Sequence, residues 1–147
     1  MPHLVILYTG NLEHRLDWNA LCRRAADTML GIRDEQGQAV YPAGGTRVFA
    51  VQAAHWAVSD GGAAGQAAGG DGDYAFVYFN LRMAGGRSDA TKNAAGDALL
   101  ALAKSTFDPI MANKHIGITL QIDESPGQVY DAKLSNIHPL FAAKPAA

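Results

Sequence analysis

Pro2 is the residue of this sequence with the clearest potential for chemistry, because it follows the initiator methionine and precedes an apolar run. Proline is small enough for routine removal of Met1, which leaves Pro2 with a free secondary amine. The proline ring leaves one mobile backbone torsion, so a strand that anchors the next residues fixes the nitrogen lone pair in space. An ordinary α-amino group titrates at about pH 7.7–8. Burial beside cations lowers the pKa of an amine, which brings it close to neutral pH. The pattern therefore predicts that Pro2 is a general base.

The alternative is that Met-Pro at the start of the chain has no chemical meaning. A retained Met1 would convert the Pro2 nitrogen into an amide without useful basicity. Evidence from the rest of the chain is needed to choose between the two interpretations.

Other reactive side chains give weaker signals. The single cysteine, Cys22, lies among apolar residues with helical spacing, so we interpret it as a small buried hydrophobe. The five histidines show no metal-ligand spacing, and we interpret them as surface or core residues: His3, His14, His55, His115 and His138. We predict no metal and no other cofactor.

Composition narrows the class of partner. The net charge is −2, from 12 basic and 14 acidic residues, and there is no Lys/Arg-rich run, which argues against nucleic acid and anionic membrane surfaces. No apolar run reaches transmembrane length, and the first residues lack the features of a signal peptide. We expect a cytoplasmic protein with a small-molecule partner.

The elements that must position Pro2 begin with a buried strand over residues 2–8, because four consecutive apolar residues lack the alternation of a half-exposed strand. A helix is predicted from Asp17, its N-cap, to about Leu30, with Gly31 as its stop. An extended pattern then runs from Thr46 to Trp56. Strand, helix and strand form a βαβ unit over residues 1–60.

A second unit with the same plan is predicted over residues 73–124. Its strand runs from Tyr74 to Met83, and Ser88 caps a helix from Asp89 to about Ser105, with a possible further turn after a break at Pro109. The closing strand covers Ile116 to Ile122. Between the units, residues 61–72 are predicted to form a mobile Gly/Ala-rich loop, and residues 125–147 form an apolar tail that could reach a neighbouring subunit.

The expected fold is therefore α/β (α+β), with one domain over residues 1–147 built from a duplicated βαβ unit. Its four-stranded, mostly parallel-paired sheet carries two helices on one face. The strands are apolar on both faces, as Leu4, Val5, Phe76 and Val77 illustrate. A partner must cover the face without helices, which predicts a closed oligomer.

With these elements in place, the sequence resembles the 5-carboxymethyl-2-hydroxymuconate isomerases of the tautomerase (N-terminal proline) superfamily. The motifs that carry the resemblance occur in the family's order and span most of the chain: Met1-Pro2-His3-Leu4, Tyr41-Pro42, Gly45-Thr46-Arg47-Val48, Asp73-Tyr74-Ala75-Phe76-Val77, Gly85-Gly86-Arg87-Ser88 and Ser135-Asn136-Ile137-His138.

The resemblance implies a tautomerase-like homotrimer and a cofactor-free isomerase of aromatic catabolism, in the homoprotocatechuate pathway. The implied substrate is an unsaturated 2-hydroxy (dienol) polycarboxylic acid, on which Pro2 moves a proton. Arg47 and Arg87 match the family's motif arginines, and the resemblance implies that they bind substrate carboxylates. The alternative for each arginine is that it is a solvated charge at the edge of a loop without a role in binding.

Two features leave the exact substrate open. Leu7 stands where relatives often carry Glu, and the 61–72 insertion matches no segment of the family's pattern. The alternative function is a non-catalytic trimeric small-molecule-binding protein of the same fold. A ferredoxin-like nucleic-acid binder would share the element order, but the chain lacks the basic surface that such a protein needs.

Overall fold

The computed structural model describes residues 1–142, which form one mixed sheet and two main helices. The strands are β1 (His3–Thr9), β2 (Arg47–Ala53), β3 (Ala75–Ala84) and β4 (Ile116–Ser125). The helices are α1 (Trp18–Gly31), the short α2 (Ala63–Ala67) and α3 (Asp89–Met111). Single 3₁₀ turns occur at Gly10–Leu12, Ala43–Gly45 and His138–Phe141.

The sheet has the strand order β2-β1-β3-β4. β1 pairs with β2 and β3 pairs with β4 in parallel, whereas the two central strands β1 and β3 are antiparallel. The duplicated βαβ plan with mostly parallel pairing is confirmed. Its consequence for the site is that the beginning of β1, the beginning of β2 and the end of β3 lie at one end of the sheet.

α1 forms where the sequence predicts it, except that Gly31 is the last helical residue and not the stop, because Ile32 is the C-cap. Asp17 is the N-cap, and its carboxylate accepts a hydrogen bond of 2.9 Å from the backbone N–H of Ala20. Leu21, Ala25 and Met29 form the buried stripe. The helix thus covers the sheet with the face that the spacing predicts.

α3 is longer than predicted. Ser88 is its N-cap, as expected, and accepts a hydrogen bond of 3.1 Å from the N–H of Thr91. The predicted break at Pro109 is wrong, because the helix runs on to Met111 with the proline inside it. Pro109 lies in the last turn, where a missing N–H removes one hydrogen bond close to the end of the helix and interrupts little.

The sequence predicts a mobile Gly/Ala-rich loop over residues 61–72. The structure instead contains the short helix α2 in this segment. The Asp60 carboxylate accepts hydrogen bonds from the N–H groups of Gly62 (3.0 Å) and Ala64 (2.9 Å). A Cβ on Gly65 would lie 2.6 Å from the Tyr74 ring, and the Tyr74 hydroxyl accepts a hydrogen bond from the Gly65 N–H. The glycines therefore permit close packing, which composition alone does not reveal.

One hydrophobic core lies between the helices and one face of the sheet. Alternate residues of the two central strands enter it, and they are fully buried or nearly so: Leu4, Ile6, Tyr8, Ala75, Val77, Phe79, Leu81 and Met83. The residues between them point to the opposite face, which no helix covers. No helix within residues 1–142 combines the length and apolar character needed to cross a bilayer.

β1 and β3 are shifted by one residue from their predicted bounds, and β2 and β4 differ more. β2 ends at Ala53, so Trp56 lies beyond the strand and is exposed. β4 continues to Ser125, three residues past its predicted end. The predicted tail over residues 125–147 is described to Ala142, and its last five residues lie outside the described part of the chain.

Candidate active site

Pro2 lies just before β1, at the end of the sheet where β1 and β2 begin and β3 ends. Its side chain is buried, and its carbonyl oxygen accepts a hydrogen bond of 3.3 Å from the backbone N–H of Arg47. Met1 precedes it with an exposed side chain. The residue is therefore fixed by the first rung of the β1–β2 ladder, as a general base requires.

Arg47 is the cation that the fold brings next to Pro2. Its guanidinium donates hydrogen bonds to the carbonyl oxygens of Gly44 (3.0 Å) and Thr46 (2.9 Å) through one terminal nitrogen. These bonds hold the half-buried side chain at the start of β2. The structure therefore places two of the predicted site residues, Pro2 and Arg47, side by side.

The 3₁₀ turn Ala43–Gly45 that positions Arg47 is itself covered by the C-terminal tail. A Cβ on Gly44 would lie 3.0 Å from the His138 ring and 3.4 Å from the Phe141 ring. Gly45 lies against Met1, because its Cβ would come within 3.6 Å of the methionine side chain. The tail motif around His138 thus packs on the turn that carries Arg47.

Arg87 lies at the same end of the sheet but in a separate depression. Its guanidinium donates to the carbonyl oxygens of Ala84 (2.8 Å) and Val40 (3.1 Å) and lies 5.4 Å from the centroid of the Tyr41 ring. The depression has a volume of about 720 Å³. Neither Pro2 nor Arg47 lines it, so within one chain the structure does not bring Arg87 into contact with them.

A larger cavity of about 1080 Å³ opens next to the N-terminus, on the sheet face without helices. Met1 and His3 line it, together with Asn80 and Arg82 of β3 and Lys133 of the tail. In register, one row of residues crosses the four strands at this end: Arg47, His3, Arg82 and Asp123. We call these four residues the charged row.

The electrostatics of the charged row favour an anionic ligand. Burial, followed by the positive chain terminus and then Arg47, lowers the pKa of His3 below its ordinary value. The His3 ring stacks on Phe49 at a centroid distance of 6.4 Å. Of the two arginines of the charged row, only Arg82 lines the cavity, where Lys133 is paired with Asp131.

His3 and Arg82 are functional candidates that the sequence did not single out for the site. The available signal was the alternation of β3, in which Phe76, Tyr78, Asn80 and Arg82 share one face. Alternation identifies the face but not the neighbouring strand. Only the antiparallel pairing of β1 with β3 places Arg82 beside His3.

Within residues 1–142 no group of three or more His, Cys, Asp or Glu side chains is arranged to hold a metal ion. The site residues at this end of the sheet are instead an imino acid, three arginines and a histidine: Pro2, Arg47, Arg82, Arg87 and His3. Such a set can exchange a proton and bind carboxylates through charge-assisted hydrogen bonds.

The duplicated βαβ fold and the buried residue Pro2 beside Arg47 define a protein of the tautomerase class. The comparisons with known proteins agree. A family model described as 5-carboxymethyl-2-hydroxymuconate isomerase matches residues 2–141. A relative from Escherichia coli named 5-carboxymethyl-2-hydroxymuconate Delta-isomerase is 26% identical, over 96% of this chain and 99% of the relative.

Two solved structures extend this similarity. A crystal structure of a 5-carboxymethyl-2-hydroxymuconate delta-isomerase is 49% identical, covers 99% of this chain and 96% of its own, and has a TM-score of 0.94. A 5-carboxymethyl-2-hydroxymuconate isomerase from Deinococcus radiodurans R1 is 26% identical, covers 97% and 95%, and has a TM-score of 0.78. The chain belongs to the 5-carboxymethyl-2-hydroxymuconate isomerase family, which confirms the resemblance seen in the sequence.

Proposed function

We propose that this protein is a cofactor-free isomerase of 5-carboxymethyl-2-hydroxymuconate and that the free amine of Pro2 is its general base. One observation carries the proposal: the family match starts at Pro2, and the structure buries this residue next to the Arg47 cation. The relatives named above supply the substrate class.

The reaction is a proton transfer along a conjugated chain. The substrate name describes a six-carbon diacid with two double bonds, a hydroxyl group on C2 and a carboxymethyl group on C5. Neutral Pro2 removes the proton of the 2-hydroxyl group, and the resulting dienolate carries its negative charge on the oxygen and on C3 and C5. Return of a proton to one of these carbons leaves the 2-oxo product, so atoms and charge balance without a co-reactant.

Cations beside the base serve two purposes in this reaction. A guanidinium group binds a carboxylate with two parallel hydrogen bonds and stabilises the developing charge of the dienolate. It also disfavours protonation of a nearby amine, which keeps Pro2 available as a base. We assign this role to Arg47, which adjoins Pro2, and to Arg87, which lies at the same end of the sheet.

We further propose that the working form is a homotrimer. The uncovered sheet face exposes Leu7, Phe49 and Val51 by 41%, 48% and 46%. In the tail, Val129, Tyr130 and Leu134 stand almost entirely free of their own chain. Neighbouring copies that cover both surfaces would remove this apolar area from water. Such packing also offers a route by which Arg87 of one copy meets Pro2 of another.

The amine can be tested by changing what precedes Pro2. A cleavable fusion is cut to leave either Pro2 itself or one additional serine at the N-terminus, and mass spectrometry verifies both proteins. We expect kcat/KM for the dienol acid to fall by at least about a thousandfold in the serine-extended protein, because its Pro2 nitrogen is an amide. The same fold and oligomeric state in both proteins is the control.

Pro2→Ala sharpens the test. Its N-terminal primary amine should retain part of the activity, and the pH profile of kcat/KM should keep a limb set by deprotonation of an amine. Full activity in the serine-extended protein would contradict the mechanism. An inactive protein with a free Pro2 that still binds carboxylic acids would support the binding-protein alternative.

A further inference from the structure

Arg82 is the arginine of the charged row to which the proposed mechanism assigns no role. Its side chain is exposed on the face without helices and lines the same cavity as Met1 and His3. Arg47 and Arg82 lie on opposite sides of His3, on the two strands that flank β1. Arg82 therefore lies across His3 from Arg47, whose own guanidinium donates to the carbonyl oxygens of Gly44 and Thr46 and does not line the cavity.

The surroundings of Arg82 leave its charge available. Its neighbour in register, Asp123, accepts a hydrogen bond of 2.7 Å from Asn80 instead. Among the ion pairs formed by residues 1–142, none includes Arg82. The tail cation of the same cavity, Lys133, is already paired with Asp131. Arg82 is thus an accessible cation in a cavity next to the proposed base.

The spacing of the two arginines suits an elongated polyanion. Their Cα atoms are separated by two strand spacings, about 10 Å. In the substrate, the carboxyl carbon of the carboxymethyl group lies six bonds from C1, at most about 7.5 Å in an extended form, as bond lengths dictate. Arginine side chains that reach inward over His3 can therefore contact opposite ends of one such molecule.

We propose that Arg82 binds the carboxymethyl group of the substrate, while Arg47 serves the 2-hydroxy acid end next to Pro2. This assignment rests on the proposed function for the identity of the ligand. It makes Arg82 the residue that distinguishes a triacid from the corresponding diacid, because the additional carboxylate is the one that it contacts. A guanidinium at this point contributes to binding and stands away from the hydroxyl that loses its proton.

The test compares 5-carboxymethyl-2-hydroxymuconate with 2-hydroxymuconate, which lacks the carboxymethyl group. In Arg82→Ala we expect the KM for the triacid to rise about tenfold or more, with kcat changed less than threefold. For the diacid we expect a change of less than about twofold in KM, or in Ki if its turnover is slow. Arg82→Lys should recover much of the loss because it keeps the charge.

Arg23→Ala is the matched control, because Arg23 is an exposed arginine of α1 paired with Asp27. It should leave both substrates unaffected. Equal losses on triacid and diacid in Arg82→Ala, or no loss on the triacid, would overturn the assignment. A smaller species in sedimentation velocity of Arg82→Ala would overturn it too, because the residue would then belong to a subunit interface.

Calorimetry with stable acids separates this proposal from the isomerase mechanism. Tricarballylate provides three carboxylates and glutarate provides two, and neither requires turnover. Weaker binding of tricarballylate alone in Arg82→Ala would support the subsite even if the wild-type protein proved inactive as an isomerase. Binding of both acids that is independent of Arg82 would contradict the subsite even in an active enzyme.

Discussion

The two βαβ units share a topology but differ on the sheet face that no helix covers. In the first unit this face consists largely of Val5, Leu7, Phe49 and Val51, on β1 and β2. In the second unit the face is polar apart from Phe76, and its side chains bond to one another: the Tyr78 hydroxyl donates to Gln121 (2.6 Å), and the Asn80 amide donates to Asp123 (2.7 Å). The first surface needs a partner to leave water, whereas the second already satisfies its own polar groups.

This difference shows what a repeated plan determines. The inward residues of both units obey one requirement, to fill the core beneath a helix, and they are uniformly apolar. The outward residues obey local requirements, so one unit can present a contact surface and the other a hydrogen-bonded network. The charged row crosses both surfaces at one end of the sheet.

The largest effect is expected from placing a charge in the apolar half. Val51→Asp should convert the proposed trimer to monomers at micromolar concentration, because association would bury an unpaired carboxylate. Sedimentation velocity measures the outcome. Thr119→Asp, on the polar half at β4, is the control and should leave assembly intact. Dissociation by Thr119→Asp alone would reverse the proposed roles of the two halves.

Arg87 gives a second comparison, with Arg47. Both were predicted to bind substrate, and each donates to two carbonyl oxygens of its own chain, but Arg87 also packs over the Tyr41 ring. We expect Arg87→Ala to lower kcat/KM about ten- to a hundredfold, as for one lost charge-assisted bond, while unfolding free energy falls by about 1–2 kcal/mol. Steady-state kinetics and thermal unfolding measure the two effects. Unchanged kcat/KM with reduced stability would assign the residue a structural role.

The predictable parts of the fold are those that local sequence determines. Asp17 and Ser88 were identified as N-caps because a side-chain oxygen before an apolar period satisfies free N–H groups wherever the helix packs. The end of α3 was not predictable in this way, since the cost of Pro109 depends on its position within the last turn. α2 escaped prediction because its stability comes from Asp60 and Tyr74, not from an apolar period of its own.

The candidate site divides in the same way. Pro2 and Arg47 could be placed together because a parallel βαβ unit brings the beginnings of its two strands to one end of the sheet. Arg82 could not be placed beside His3, because that neighbourhood depends on how the two units pair with each other. No residue within either unit encodes the register between β1 and β3 by itself.

The smallest expected effect tests an ion pair of the second unit whose carboxylate also bonds to the first unit. Lys114, before β4, is buried, and its ammonium group donates to the Asp73 carbonyl oxygen (2.8 Å) and to the Asp73 carboxylate. Asn11, from the first unit, donates to the same carboxylate at 2.8 Å. Lys114→Met keeps the apolar stem and removes the charge. We expect unfolding free energy at pH 7 to fall by about 1–2 kcal/mol, because Asp73 is half exposed and keeps its bond from Asn11.

The pH dependence supplies the second readout for this pair. Hydrogen bonds from Lys114 and then Asn11 lower the pKa of Asp73 below its ordinary value, so the stabilisation is present above the pKa of the unfolded chain, about 4, and is lost as the pH falls through the folded value. The stability difference between wild type and Lys114→Met should therefore shrink in acid. Lys104→Met, which removes an exposed helical pair with Asp108, is the control and should cost less than about 0.5 kcal/mol. Chemical denaturation at pH 7 and pH 3 measures both variants, and equal losses in the two would show that the pair of the buried Lys114 with Asp73 is no stronger than a surface ion pair.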